Sequence, residues 1–440
     1  MKWTRLCLAA IMVWLLASGC VRPAQPAPQP APPATVGDAQ KEIDSLKSQL
    51  EEAREELDSY KLRAQNWDYW QKIDDFLHQT LAGVSRTRGI PPPENIEMRV
   101  VTVDWAKKKW GDDYVRDSAR KIQIDERIFK GLFIIPESTS LAALYANWPR
   151  SYLAAALGDK VYFVQENIAP LNGDDIRKVL AHEVVHLLQN GFKSPELATF
   201  DEDKAWAALV EGDADFTRAK YMEGVQAKPP DFGRPVISPP SAASIPETPP
   251  AFNNWLYFPY QYGQAFVSML YGWGGWVTVD QAFSRPPAAT AQIMHPDKYV
   301  SGQAPADIKA PSLNITGWQA DRVDRLGEYF INVMLGDWLP AQDAGNAAQG
   351  WAGDRLTYYE SEQSYLFTWQ TAWSSEPAAA QFYDAFVKML GRAGAKPAGQ
   401  NLWQARGEYL SVTKTADRGI LIIVSGDRTM LDAALKKLNI

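Results

Sequence analysis

Two histidines four residues apart are the residues in this chain whose spacing first suggests chemistry. They lie in His182-Glu183-Val184-Val185-His186, an HExxH sequence. An α-helix has about 3.6 residues per turn, so both imidazoles project from one face and can reach a single ion. Neutral imidazole is a good ligand for zinc, and a catalytic zinc site keeps one position for water. Glu183 stands beside a ligand, where its carboxylate could act as a general base.

The surrounding residues predict that this motif lies on a buried helix. Asn172 or Asp174 can cap the start of the helix, and Gly191 follows its end. Apolar residues between them surround the histidines: Ile176, Val179, Leu180, Val184, Leu187 and Leu188. Histidines in such a position are unusual core residues unless a ligand occupies them. The alternative is a chance motif, and we favour metal binding because the chain has only four histidines.

A catalytic zinc ion needs a third protein ligand from elsewhere in the chain. Glu211 and Asp215 are four residues apart and would share one helix face. Glu202 is the competing oxygen ligand, but it lies in the charged run 201–204. Asp213 fits a solvated acidic turn of the helix. Glu211 and Glu202 are therefore the candidate third ligands, of which Glu202 is less favoured.

These motifs together resemble the gluzincins, the thermolysin-like zinc metallopeptidases. The resemblance rests on the HExxH motif and on residues 209–214, Leu-Val-Glu-Gly-Asp-Ala. It implies an α+β fold with a zincin-like metallopeptidase domain, in which His182, His186 and Glu211 bind Zn²⁺. It also implies that Asp215 hydrogen-bonds a ligand histidine and that Glu183 accepts the proton of the zinc-bound water. The gap between the two motifs is longer than in thermolysin.

Two further stretches fit the same resemblance. Residues 260–267, Tyr-Gln-Tyr-Gly-Gln-Ala-Phe-Val, resemble a helix that packs beneath the site in many gluzincin-like proteins. In thermolysin-like enzymes a histidine, often with a tyrosine, stabilises the oxyanion, which implies a catalytic role for His295 with Tyr299 nearby. The alternative for His295 is a structural histidine on a loop. No metal-binding motif surrounds His78, so we expect a packing or surface role there.

The amino terminus predicts export and a lipid anchor. A short basic segment precedes the apolar run 6–17, which is too short to span a bilayer and is typical of a signal peptide. Residues 16–20, Leu-Ala-Ser-Gly-Cys, resemble the lipobox of bacterial lipoproteins, which implies acylation of Cys20 and a site at the cell envelope. The alternative is secretion with a free cysteine. Cys7 is the only other cysteine, so the processed chain would contain no disulfide.

Composition divides the chain into five predicted segments. Residues 1–19 are a signal peptide and 20–37 a tether rich in proline and alanine. In 38–65, apolar residues recur at intervals of three and four, which predicts a coiled-coil helix and a homo-oligomer. The alternative is a single amphipathic helix that lies on the next domain. Residues 66–318 are assigned to the metallopeptidase domain and 319–440 to a small α+β unit without a motif.

Local patterns predict the elements within these segments. Strands are expected at 98–103, 122–124, 132–135 and 160–165, with helices at 67–81, 141–146 and 319–339. Further strands are expected at 356–360 and 365–372, then a helix at 376–391 and a hairpin at 408–413 and 419–424. In the zincin fold the strand before the HExxH helix is a sheet edge that pairs with substrate, and the alternative is a buried strand. The proline-rich loop 225–254 either borders the cleft or is a spacer.

Charge and composition restrict the classes of function and partner that fit this chain. The 440 residues are 46% hydrophobic, which is enough for sizeable cores, and the net charge of −7 without a basic run argues against nucleic acid as a partner. We predict a zinc-dependent peptidase of the bacterial cell envelope that acts on a peptide or protein. The alternative is an inactive, zinc-stabilised lipoprotein that serves as a scaffold or binding module. Glu183 favours the enzyme, because a purely structural ion needs no general base.

Overall fold

The computed structural model describes residues 36–237, 247–309, 311, 313, 315, 317–362 and 364–440. The predicted signal peptide, Cys20 and nearly all of the predicted tether lie outside these residues. Across the described ranges, no helix is both long and apolar enough to span a membrane. Helices and strands are both abundant and are largely segregated along the chain, so the fold class is α+β, as predicted.

The elements up to residue 224 are, in chain order, helices and strands with these bounds: α1 (Val36–Gln65), α2 (Trp67–Arg88), β1 (Glu97–Val101), α3 (Val103–Ala106), α4 (Asp113–Asp117), α5 (Ala119–Gly131), α6 (Leu141–Asn147), β2 (Ala154–Leu157), β3 (Lys160–Val164), α7 (Gln165–Ile168), α8 (Gly173–Gln189) and α9 (Phe200–Gly224). A π-helical turn, Lys107–Asp112, follows α3, and a 3-10 turn, Trp148–Ser151, follows α6.

The remaining elements are α10 (Pro250–Ser284), α11 (Thr290–Met294), α12 (Pro296–Val300), β4 (Gln319–Asp324), α13 (Gly327–Gly336), α14 (Ala341–Ala348), β5 (Trp351–Glu360), β6 (Tyr365–Trp373), α15 (Glu376–Arg392), β7 (Lys396–Gly399), β8 (Leu402–Ala405), β9 (Glu408–Thr415), β10 (Gly419–Ser425) and α16 (Arg428–Leu438). Non-helical backbone at Gly274 and Gly275 interrupts α10.

The described residues form two compact units. The first contains residues 36–114, 146–191 and 217–237, and the second contains 115–145, 192–216 and the described part of 247–440.

The first unit contains a three-stranded sheet in the order β1-β3-β2. The central strand β3 pairs in parallel with β1 and antiparallel with β2. Of the two alternatives for this strand, the sheet edge is therefore excluded, because both of its sides already carry backbone hydrogen bonds. Val161 and Phe163 are fully buried, as the alternative of a buried strand predicts. Helix α8 lies against β2, β3 and α2, and this contact on several sides explains why its second half is buried all round.

The second unit is built on a seven-stranded antiparallel sheet in the order β4-β5-β6-β10-β9-β8-β7. Its central strand β10 is buried along its whole length, and α15 and α16 both contact it. Asp354 ties this sheet to the start of α13 by accepting from the backbone N–H of Leu326 and Gly327 at 2.9 Å. The same carboxylate accepts from the indoles of Trp351 and Trp369, at 2.9 and 3.0 Å, respectively. A fully buried carboxylate is tolerated here because its oxygens have several donors.

Three predicted elements are wrong. Residues 122–124 belong to α5, where Ile122, Ile128 and Phe129 are buried at helical spacing, so the periodic core contacts outweigh the strand propensity of isoleucine. Residues 132–135 form a buried turn after that helix, with Phe133 at φ +62°. The helix predicted at 319–339 begins only at Gly327, because residues 319–324 pair with β5.

Candidate metal centre

Helix α8 carries the HExxH motif and begins at the predicted cap. The Asn172 side chain accepts from the Asp175 N–H at 3.0 Å, which satisfies one of the free donors in the first turn. Asp174 and Asp175 place negative charge near the positive end of the helix dipole. The start of the helix is thereby fixed, and with it the direction in which the motif side chains project.

The two histidines face one another within the protein interior. Their side chains bring Nε2 of His182 and Nε2 of His186 to 3.1 Å, and the two residues are 2% and 9% exposed. The rings are nearly perpendicular, with centroids 4.8 Å apart. Both Nε2 atoms therefore point to one shared position, as the four-residue spacing predicts.

Gln189 orients one of these imidazoles, a contact that the sequence analysis missed. Its Oε1 lies 2.8 Å from Nδ1 of His186, and Gln189 is 3% exposed. An amide oxygen only accepts, so Nδ1 of His186 carries the proton and Nε2 keeps its lone pair for a ligand. The three-residue spacing of His186 and Gln189 on one helix face was the available signal.

Glu211 on α9 completes a set of three ligand atoms. Within the described residues, His182, His186 and Glu211 form a buried group, and one ligand atom from each lies within 4.8 Å of the other two. Glu211 is 1% exposed. This group could hold a metal ion, as the sequence analysis predicts.

The donor set fits a divalent ion such as zinc. Two nitrogens on a tetrahedral zinc, each about 2.0–2.1 Å from the metal, are separated by about 3.3–3.4 Å. The observed 3.1 Å between the imidazole nitrogens is close to that separation. Two imidazoles and one carboxylate are also ligands that zinc accepts in catalytic sites.

Glu183 is held in the interior next to this group. It follows His182 directly on α8 and is 3% exposed. Burial of a carboxylate costs free energy unless it interacts with a polar or charged group, so a buried glutamate next to a metal ligand fits a chemical role.

The start of α9 is anchored by buried polar contacts. Phe200 N–H donates to Asp324 at 2.8 Å, and Asp201 accepts from the N–H and hydroxyl of Thr290 at 2.8 and 2.6 Å. Nε of Arg325 lies 3.0 Å from the Asp201 carboxylate. Burial raises the pKa of the Asp201 carboxyl to about 6, and the Arg325 guanidinium opposes that rise. These contacts set the start of the helix from which Glu211 projects.

A close crossing of two helices lies directly beside Glu211. A Cβ atom built on Gly212 would lie 2.3 Å from the backbone of Gly263 in α10, and one on Gly263 would lie 2.1 Å from the carbonyl oxygen of Ala208. Only glycine fits at either position, because the obstacles are backbone atoms. The predicted helix at 260–267 therefore packs against the segment that carries Glu211.

The other acidic residues of this region have different surroundings. Asp213 is fully buried, so the prediction of a solvated acidic turn is wrong. Asp215 is 7% exposed, and its role beside a ligand histidine stays a prediction. Glu202 does not belong to the metal-binding group; its carboxylate accepts from the Ala198 N–H at 2.9 Å and lies 3.2 Å from the Arg325 guanidinium.

His295 and Tyr299 make contacts of their own. Nε2 of His295 lies 2.6 Å from the carboxylate of Glu328, which is 1% exposed and also contacts Lys298 at 3.1 Å. The Tyr299 hydroxyl donates to the carbonyl oxygen of Arg285 at 2.8 Å. These contacts support the alternative of a structural histidine, and the catalytic role stays a prediction.

Comparison with known proteins identifies one region of similarity. Residues 313–434 match DUF8575, a domain of unknown function. This region contains the seven-stranded sheet and begins well after the metal-binding group. No curated protein and no solved structure matches the chain.

Proposed function

We propose that this protein is a zinc-dependent peptidase whose ion is held by His182, His186 and Glu211. The observation that supports the proposal most strongly is the buried convergence of these three side chains, with Glu183 next to a ligand in the chain. Three protein ligands leave a fourth tetrahedral position for water, which is the arrangement of catalytic rather than structural zinc sites.

Glu183 supplies the proton transfer in this proposal. A bound zinc ion would act as a Lewis acid and lower the pKa of a coordinated water to about 7. Glu183 takes a proton from the attacking water as its oxygen adds to the peptide carbonyl carbon. When the C–N bond breaks, Glu183 returns that proton to the leaving amine nitrogen. Water is thereby divided between the new carboxyl group and the new amine.

We infer the substrate class and the cellular site from the sequence. A peptide or protein substrate is what the resemblance to gluzincins implies. The predicted signal peptide and lipobox support an exported enzyme anchored through Cys20 at the bacterial cell envelope.

The test compares zinc content and hydrolysis in the purified full chain. We expect about one zinc per chain in the wild type and in Glu183→Gln, and cleavage of fluorescently labelled casein by the wild type only. Loss of the general base should lower turnover by about 10²–10⁴-fold. The control is Glu196→Gln, an identical change at an exposed position, which should keep full activity.

Two results would count against the proposal. If zinc-loaded Glu183→Gln hydrolysed casein as fast as the wild type, Glu183 would not be the general base. Zinc binding by the wild type without hydrolysis of casein would instead favour the inactive, zinc-stabilised scaffold.

A further inference from the structure

Helix α1 carries a stripe of large apolar side chains that are exposed to solvent. Ile43, Leu46, Leu50, Leu57 and Tyr60 are 45%, 56%, 51%, 54% and 52% exposed. They occupy alternating three- and four-residue steps, the a and d positions of a heptad repeat, with the exposed Ala53 between them. A continuous apolar stripe of this kind is typical of a surface that another chain covers.

The other face of α1 holds the helix on the first unit. Ser59 accepts from the Val100 N–H of β1 at 2.8 Å, and Nζ of Lys109 lies 2.9 and 2.8 Å from Glu51 and Glu55. Residues two apart on a helix point about 160° away from each other, so Leu57 points away from the face formed by Glu55 and Ser59. Residues 51–59 of the helix therefore lie on the unit through polar contacts with Leu57 on the opposite side, and every residue at 41–50 is exposed.

This orientation is the reverse of what the docking of an amphipathic helix on its own domain would produce. Burial of apolar surface stabilises by about 25 cal/mol per Å², whereas exposed ion pairs contribute about 0–1 kcal/mol. If α1 served only to cover the first unit, its apolar face would turn inward. The outward position of the apolar face indicates that another molecule covers the stripe.

We propose that the partner is a second copy of this chain, paired with α1 as a parallel, in-register two-stranded coiled coil. In that arrangement each g position faces the next e position of the other helix. Glu42 at g would face Lys47 at e, and Glu56 at g would face Lys61 at e. These are opposite charges at both pairs.

The charges disfavour the antiparallel arrangement. There the e positions of the two helices face each other. Three of the four e residues of α1, Lys47, Arg54 and Lys61, are cationic and the fourth is a neutral glutamine, so an antiparallel pair would align like charges along one side. The charges at the e and g positions thus favour a second copy of α1 as the partner, and they favour the parallel direction.

Cysteine crosslinking tests the direction of pairing in the full chain. With Cys7→Ser and Cys20→Ser as background, Leu46→Cys places the only thiol at a d position near one end of the stripe. Parallel, in-register helices bring the two Cβ atoms within disulfide reach, so mild oxidation should give a linked dimer of twice 49.1 kDa. Ser48→Cys, at the outer f position, is the matched control and should stay unlinked.

Light scattering on the same background without an added cysteine tests the pairing itself. We expect the mass of two chains, and the mass of one chain after Leu50→Gln with Leu57→Gln, with zinc content unchanged as a check on folding. A one-chain mass before those changes, including the case of a monomer that binds lipid vesicles, would overturn the proposal. A two-chain mass without crosslinking at position 46 would overturn the parallel register.

Discussion

Gln189 shows how a single side chain can prepare an imidazole for metal binding. Its amide oxygen accepts the Nδ1 proton of His186 and so directs the lone pair of Nε2 toward His182. Partners of this kind restrict both the tautomer and the rotation of the ring, and their loss commonly weakens metal binding.

Substitution of Gln189 tests this role. Gln189→Leu removes the acceptor at similar size, and we expect the zinc affinity to fall about 10–100-fold in competition with a chromophoric chelator. Gln189→Glu keeps an oxygen acceptor at the same reach and should retain most of the affinity. Equal affinities for wild type and Gln189→Leu would show that the ring is oriented by other contacts.

At the scale of elements, the position of Glu211 depends on the crossing of α9 and α10. Gly212 and Gly263 allow the two backbones to approach without an intervening side chain. Because backbone atoms cannot rotate away as side chains do, an added methyl group must separate the helices.

Gly212→Ala should therefore impair the metal centre without changing any ligand. We expect it to lower the free energy of unfolding by about 1–3 kcal/mol and to weaken zinc binding, measured by urea denaturation and chelator competition. Gly224→Ala is the control, since it lies in the same helix and its Cβ would meet nothing within 4 Å. Unchanged zinc affinity in Gly212→Ala would show that Glu211 tolerates a shift of α9.

At the scale of the whole molecule, the buried carboxyl group of Glu408 contributes to the dependence of stability on pH. Glu408 on β9 accepts a hydrogen bond from the Tyr365 hydroxyl on β6 and is 8% exposed. Burial raises the pKa of the Glu408 carboxyl to about 7, although the Tyr365 hydrogen bond opposes the rise. Between pH 4.5 and about 7 the native chain keeps a proton that the unfolded chain has released. The free energy of unfolding should therefore fall as pH rises through this interval.

Glu408→Gln should remove the contribution of this group, because the amide keeps the acceptor for Tyr365 and never ionises. At pH 8 we expect the variant to be more stable than the wild type by at most about 3 kcal/mol, with little difference at pH 4.5. Urea denaturation followed by tryptophan fluorescence measures both. The control is Glu362→Gln at an exposed position, and an equal gain there at pH 8 would contradict the assignment to Glu408.

The sequence by itself determined the elements whose signals are local and periodic. Helix α8, its Asn172 cap and the common face of His182 and His186 could be predicted because side-chain direction in a helix follows directly from spacing. Strands β5, β6, β9 and β10 were predictable from their runs of β-branched and aromatic residues. The strand predicted at 122–124 was wrong, because three apolar-patterned residues are too few to distinguish a strand from a helix.

Only the tertiary structure decided which distant residues meet and which faces are covered. It placed β3 at the centre of its sheet, between the adjacent strand β2 and the strand β1 from much earlier in the chain. It brought Glu211 rather than Glu202 to the histidines, buried Asp213 and turned the apolar stripe of α1 outward. The physical reason is that burial and pairing depend on the whole packed chain, whereas local spacing fixes only the direction of a side chain relative to its own helix or strand.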